Sequence, residues 1–193
     1  MVASHFSSAQ SAPLLLAHAL GEQRDIKSLL GTLQRHLGCR VNIALAGSAP
    51  LAEGVYFLAD SGQLEYWTDV ASLPAGNLLR ARYAASPYQC DGSVLSADFP
   101  QSIALAPYRR LGHYVTCPLQ TDIYLGGIEF ILSDAGISDV DVTFLSQLAG
   151  LVANALVQIE QRQADFECEE QALEAQRSLQ VLVDITNSVL LNA

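Results

Sequence analysis

Two strand-like runs in this sequence carry polar side chains on apolar faces, where they could do chemistry. In the run Gly112-His113-Tyr114-Val115-Thr116-Cys117-Pro118-Leu119, a period of two puts His113 on one face with Val115, Cys117 and Leu119. A histidine on so apolar a face is either a satisfied core group or a donor to a small anion. Glu129 has the same character. It alternates with Gly127 and Ile131, opposite the face of Ile128, Phe130 and Leu132. A carboxylate on a strand this apolar needs a partner, and Arg80, Arg82 and His113 are the candidates. Such a pair serves equally as a structural ion pair or as part of a ligand site. Arg80, Arg82, Arg109 and Arg110 are half the basic residues before position 157. The planar guanidinium suits a carboxylate ligand, although exposed surface arginines are the commoner arrangement.

Tyr56, Tyr66, Trp67, Tyr83 and Tyr114 are of a type that lines pockets, and of a type that fills cores first. Gly126-Gly127 sits inside a strand pattern without GxGxxG spacing, so it reads as room for a close backbone or ligand and not as a phosphate loop. The four cysteines, Cys39, Cys90, Cys117 and Cys168, form no CxxC or other zinc spacing, and no metal or other cofactor is expected. Cys90 and Cys117 could form a redox pair, but no basic or helix-terminal setting to lower either pKa is evident.

The elements that position these residues can be read from periodicity. Pro13 opens a helix that Leu14 to Leu20 continue to Gly21. Asp25 caps a second, in which Ile26, Leu29, Leu30, Leu33 and Leu37 recur at helical spacing before Gly38. Strands follow at 40–46, 55–59 and 64–67. A short helix is expected at 74–84, a loop or edge strand at 88–97, a weak helix within 98–110, and strands at 114–119 and 124–132. Ser138 with Asp141 has capping-box spacing ahead of a long helix. Phe144, Leu145, Leu148, Leu151, Val152, Ala155, Leu156 and Ile159 form its apolar face. Beyond it, Ile159, Phe166 and Leu173 continue a narrow seam suited to a second helix, hence to a homodimer. The order implies an α+β domain: a mostly antiparallel sheet with helices packed on it.

Composition limits the function. The chain has 193 residues and a net charge of −10, with 50% hydrophobic and 16% charged residues, which fits a packed domain and excludes a disordered chain. An acidic balance disfavours nucleic acid and anionic membrane as direct partners. Residues 157–193 carry seven acids and two bases, against thirteen and eight in the preceding 156 residues, so a fifth of the chain holds half the excess charge. No stretch reads as a membrane span. The apolar run Leu14 to Leu20, with Ala17-His18-Ala19 like a cleavage site, lacks the basic residues that would precede a signal sequence. A cytoplasmic location is expected.

The Gly112-to-Leu119 run, followed by Gly126-Gly127-Ile128-Glu129-Phe130-Ile131, resembles a GAF domain. More narrowly, it resembles the amino-terminal GAF region of the formate hydrogenlyase transcriptional activators, which work with sigma-54 polymerase. In that family a Gly-His-Tyr, a Pro-Leu and a Gly-Gly-x-Glu-Phe recur in this order before a long helix. Residues 182–190, Leu-Val-Asp-Ile-Thr-Asn-Ser-Val-Leu, resemble the first helix of that family's second GAF domain.

The resemblance covers residues 75–193 well and 12–74 in outline. It implies a GAF-like sheet flanked by helices, a pocket flanked by the arginine-bearing segments, no enzymatic activity, and a small ligand such as formate. It implies downstream regulatory domains as partners, with no GxxxxGK[ST] motif or basic recognition helix in this segment. The expected organisation is a frayed 1–11, a sensor domain at 12–160, a connecting helix at 161–177 and the start of a following domain at 178–193. The ligand candidates are His113, Glu129, Arg80, Arg82, Tyr83, Tyr114, Tyr66 and Cys117. Two alternatives stand beside this reading: a dimerisation module without ligand, and a cysteine-based reductase of free methionine sulfoxide like those built on the GAF fold.

Overall fold

Asp25 accepts a hydrogen bond from the Ser28 backbone N–H at 2.7 Å and so starts α2 (Ile26–Leu37), while Gly38, at φ 65°, ends it in the left-handed conformation that glycine adopts without strain. Ile26, Leu29, Leu30, Leu33 and Leu37 are all buried, as their spacing predicts. The computed structural model describes residues 12–46, 54–68, 87–91, 112–120, 125–132 and 141–191. The first element is α1 (Ala12–Gly21). The strands are β1 (Arg40–Ala46), β2 (Gly54–Leu58), β3 (Leu64–Trp67), β4 (Tyr88–Asp91), β5 (His113–Gln120) and β6 (Leu125–Leu132), and the last helix is α3 (Val142–Leu191).

The strands form one sheet in the order β3-β2-β1-β6-β5-β4, antiparallel at every pairing. This is the expected α+β arrangement. The segment beginning at residue 88, left open between loop and edge strand, is an edge strand paired with β5. The helices expected at 74–84 and within 98–110 lie outside the described residues.

One core gathers the odd-numbered residues of β1 (Val41, Ile43, Leu45) and β5 (Val115, Cys117, Leu119) with Ile128 and Phe130 of β6, Leu29, Leu30 and Leu33 of α2, and Leu148, Val152 and Leu156 of α3. Burying each such side chain contributes about 2 kcal/mol. Ser138 lies outside the described residues, and Asp141 itself supplies the cap: its Oδ1 accepts from the Phe144 N–H at 2.9 Å. With the helix beginning at Val142, Asp141 occupies the N-cap position, where a carboxylate meets a free backbone N–H.

Two sequence expectations about α3 change. Val142–Asn187 contains an 18-residue window apolar enough by composition to cross a membrane, whereas the sequence reading found none. The run 142–159 has no charged residue, and its large apolar side chains at 145, 148, 152, 156 and 159 are core residues of the domain. The same burial removes Ile159 from the dimer seam: it is wholly inaccessible, packed in the core, while Phe166 and Leu173 are 61% and 54% exposed.

The chain divides into two units, 1–159 and 160–193. In the second, every described side chain from 161 to 187 is exposed. Leu182 lies sixteen residues after Phe166, which at about 100° per residue turns it roughly 160° away from that seam. The apolar residues beyond 178 therefore make a separate face. Within α3, a methyl group added at Gly150 would meet nothing within 4 Å. Gly150→Ala is expected to raise stability by about 1 kcal/mol, from helix propensity alone, as read from the urea midpoint.

Candidate functional site

The strand register gives the sheet a second face, opposite the core just described. Asn42 of β1 pairs with Glu129 of β6, and Glu129 pairs on its other side with Thr116 of β5. Tyr114 pairs with Ile131, two residues from Glu129, so all four share one face. This face is also buried: Asn42, Glu129 and Tyr114 have no accessible surface, and Thr116 is 8% exposed. Four polar side chains thus lie out of water, where each needs hydrogen-bonding partners.

Glu129 organises the group. Its Oε2 accepts from Asn42 Nδ2 at 2.9 Å, and its Oε1 accepts from the Tyr114 hydroxyl at 2.5 Å. Both oxygens are therefore held by donors from neighbouring strands, and the carboxylate is fixed in plane and position. Asn42 is fixed in turn: with Nδ2 given to a carboxylate oxygen, its Oδ1 must be the other amide atom. That buried Oδ1 has no donor among the described residues. Next to these residues on the same face are Ala44 and Gly127, two small residues paired with each other. A Cβ at Gly127 would stand 3.1 Å from Thr116 Oγ1, tight enough to crowd it.

Two expected candidates, Glu129 and Tyr114, are brought together, and a third residue, Asn42, was not foreseen. His113 is not the partner of Glu129, because it pairs with Leu132 and lies on the opposite face. An odd separation in register puts neighbouring strand residues on opposite sides. Tyr66 is also elsewhere, on the outer strand β3, half-exposed and stacked on Tyr56 at 5.5 Å. Arg80, Arg82 and Tyr83 lie outside the described residues, as do Arg109 and Arg110. Among the described residues no group of His, Cys, Asp or Glu is disposed to hold a metal ion.

Cys117 is a core residue, with its Sγ 3.9 Å from the Ser146 hydroxyl of α3. Burial pushes its thiol up to about 11, the Ser146 contact lowering it only in part, and burial pushes Cys39 up to about 12. Neither is a ready thiolate. The register also separates Cys90 from Cys117. Cys90 pairs with Tyr114, three positions along β5, which is about 10 Å of strand. A disulfide spans less than about 7 Å between Cα atoms, so this pair cannot close one without moving the backbone.

A direct test is alkylation of the native protein at mild alkaline pH: exposed Cys168 reacts, while Cys39 and Cys117 stay unmodified in peptide maps. A related effect is expected on stability. A thiol whose pKa is raised by folding keeps its proton longer in the native state, so its contribution is intact below about 8.5 and is lost as pH rises towards 11–12. Urea midpoints should therefore fall over that alkaline range, and should fall less in Cys39→Ala.

No family model and no curated protein matches the chain. Among solved structures, residues 122 to 287 of a methyl-accepting chemotaxis protein align with TM-score 0.53 and 21% identity, over 78% of this chain and 99% of that one. The nlh2 GAF domain of A. aeolicus, in an inactive state, aligns with TM-score 0.50 and 12% identity, over 79% and 95%. A free methionine-R-sulfoxide reductase from Neisseria meningitidis aligns with TM-score 0.49 and 14% identity, over 81% and 96%. The fold of this chain is that of a GAF domain.

Proposed function

We propose that the chain is a small-ligand-sensing regulatory domain that passes a change at its sheet to the long helix α3. The observation that carries this reading is the buried Asn42–Glu129–Tyr114 group on β1, β6 and β5. Those same strands pack their opposite face on the first turns of α3, through Val115, Cys117, Ile128 and Phe130. A ligand that alters strand spacing on one face therefore displaces the seat of the helix on the other. It acts as a signal only if it binds two arrangements of the helix with different affinity.

The finer reading comes from the resemblance: the parent is a sigma-54-dependent activator, residues 178–193 begin a following domain, residues 161–177 connect to it, and formate or another small anion is the ligand; the cytoplasmic location rests on the missing basic signal region. An anion needs donors. In this buried group the Tyr114 hydroxyl and one N–H of Asn42 Nδ2 are already given to Glu129, and His113 is on the other face. The raised thiols support a non-enzymatic domain over the reductase alternative.

A second reading, homodimerisation along α3, is favoured by exposed Phe166 and Leu173. It predicts a dimer by sedimentation that Phe166→Asp dissociates, and a monomeric wild type contradicts it. The sensor reading is tested by calorimetric titration with small carboxylates, amides and amidines. Saturable heat with at least one of them supports it, and no heat with any of them contradicts it.

A further inference from the structure

We propose that the ligand held on this face is an N–H donor (a primary amide, amidine or ammonium group) and that Asn42 Oδ1 is the atom that receives it; this rests on the sensor reading above. Asn42 has no accessible surface, yet its Oδ1 lacks a donor among the described residues. A buried amide oxygen without a partner costs about 1–3 kcal/mol, and the described residues offer no internal way to avoid that cost. Rotating the amide would turn Oδ1 towards Glu129 Oε2, now 2.9 Å from Nδ2, and bring two acceptors together. Glu129 therefore fixes the direction of Asn42, and the direction selects the ligand. An N–H group completes Oδ1, whereas a carboxylate offers it only another acceptor. Ala44 and Gly127, beside Asn42 and Glu129 on the same face, add little side-chain bulk of their own there. A small planar group can approach there.

Formate, formamide and formamidinium share one planar shape and differ in hydrogen-bonding role: acceptor only, mixed, and donor only. Each is titrated at millimolar concentration into the full chain labelled with ¹⁵N, and the Asn42 side-chain amide signals are followed. Formamidinium and formamide are expected to shift those signals saturably, and formate to leave them in place. A saturable shift by formate alone, or equal shifts by all three, overturns the donor assignment and leaves the sensor reading standing. No shift by any probe overturns the assignment of this site. If the two donor probes shift the Asn42 signals but leave α3 unaffected, the ligand class holds and the sensor reading fails.

Discussion

Glu129→Ala is expected to lower folding stability by about 3 kcal/mol or more. Removing the carboxylate leaves two buried donors, Asn42 Nδ2 and the Tyr114 hydroxyl, without their acceptor, and each buried unsatisfied group costs about 1–3 kcal/mol. Loss of the side-chain volume at a site with no accessible surface adds to this. Tyr114→Phe removes one donor and leaves Glu129 bonded to Asn42, so its cost is smaller, about 1–2 kcal/mol. Glu129→Gln keeps one acceptor and falls between the two. Urea denaturation with an unchanged m-value reads this ranking. A Glu129→Ala protein within 0.5 kcal/mol of wild type contradicts the account, because about 0.5 is the effect of an ordinary surface substitution.

The second large effect belongs to Gly126→Ala. A Cβ at this position would stand 2.4 Å from the backbone carbonyl oxygen of Ala44 on β1. Backbone cannot give way as a side-chain tip can, so β1 and β6 would have to part at the centre of the sheet. Overpacking of this kind costs about 1–3 kcal/mol and sometimes more, and here it falls on the β1–β6 pairing that aligns Asn42 with Glu129. The same substitution at Gly150, where the methyl group meets open space, is expected to stabilise. The opposite signs of these two Gly→Ala changes separate a steric role from a general effect of glycine.

Local order is where sequence and structure agree most. The Asp25 cap, the spacing of Leu29, Leu30 and Leu33, and Gly38 bound α2 because capping and period 3.6 act within a few residues. The alternation of Val115, Cys117 and Leu119 shows which face of β5 is inward. Glu129 stands out as a carboxylate on an apolar strand. Its partners were not legible for a geometric reason. Asn42 lies 87 residues away and meets Glu129 only because β6 pairs with β1, a connection no local pattern encodes. In sequence, Asn42 alternates with Val41 and Ile43 and so reads as the solvent side of a half-buried strand, but both faces of β1 and β6 are buried. His113 misled because strands β5 and β6 suggested proximity to Glu129, whereas the register puts the two on opposite faces. Ile159 looked like the start of a seam because heptad spacing does not say where a core ends. Its complete burial assigns it to the core, and only from 161 onward is every described side chain exposed.

The central claim is that a ligand on the Asn42–Glu129 face changes the behaviour of α3. Amide hydrogen exchange across residues 160–187, with and without whichever of formate, formamide and formamidinium binds, tests it most directly. The account predicts altered protection along this segment at saturation, and the same alteration absent in Tyr114→Phe if that variant no longer binds. An unchanged exchange profile in a saturated wild-type protein contradicts it.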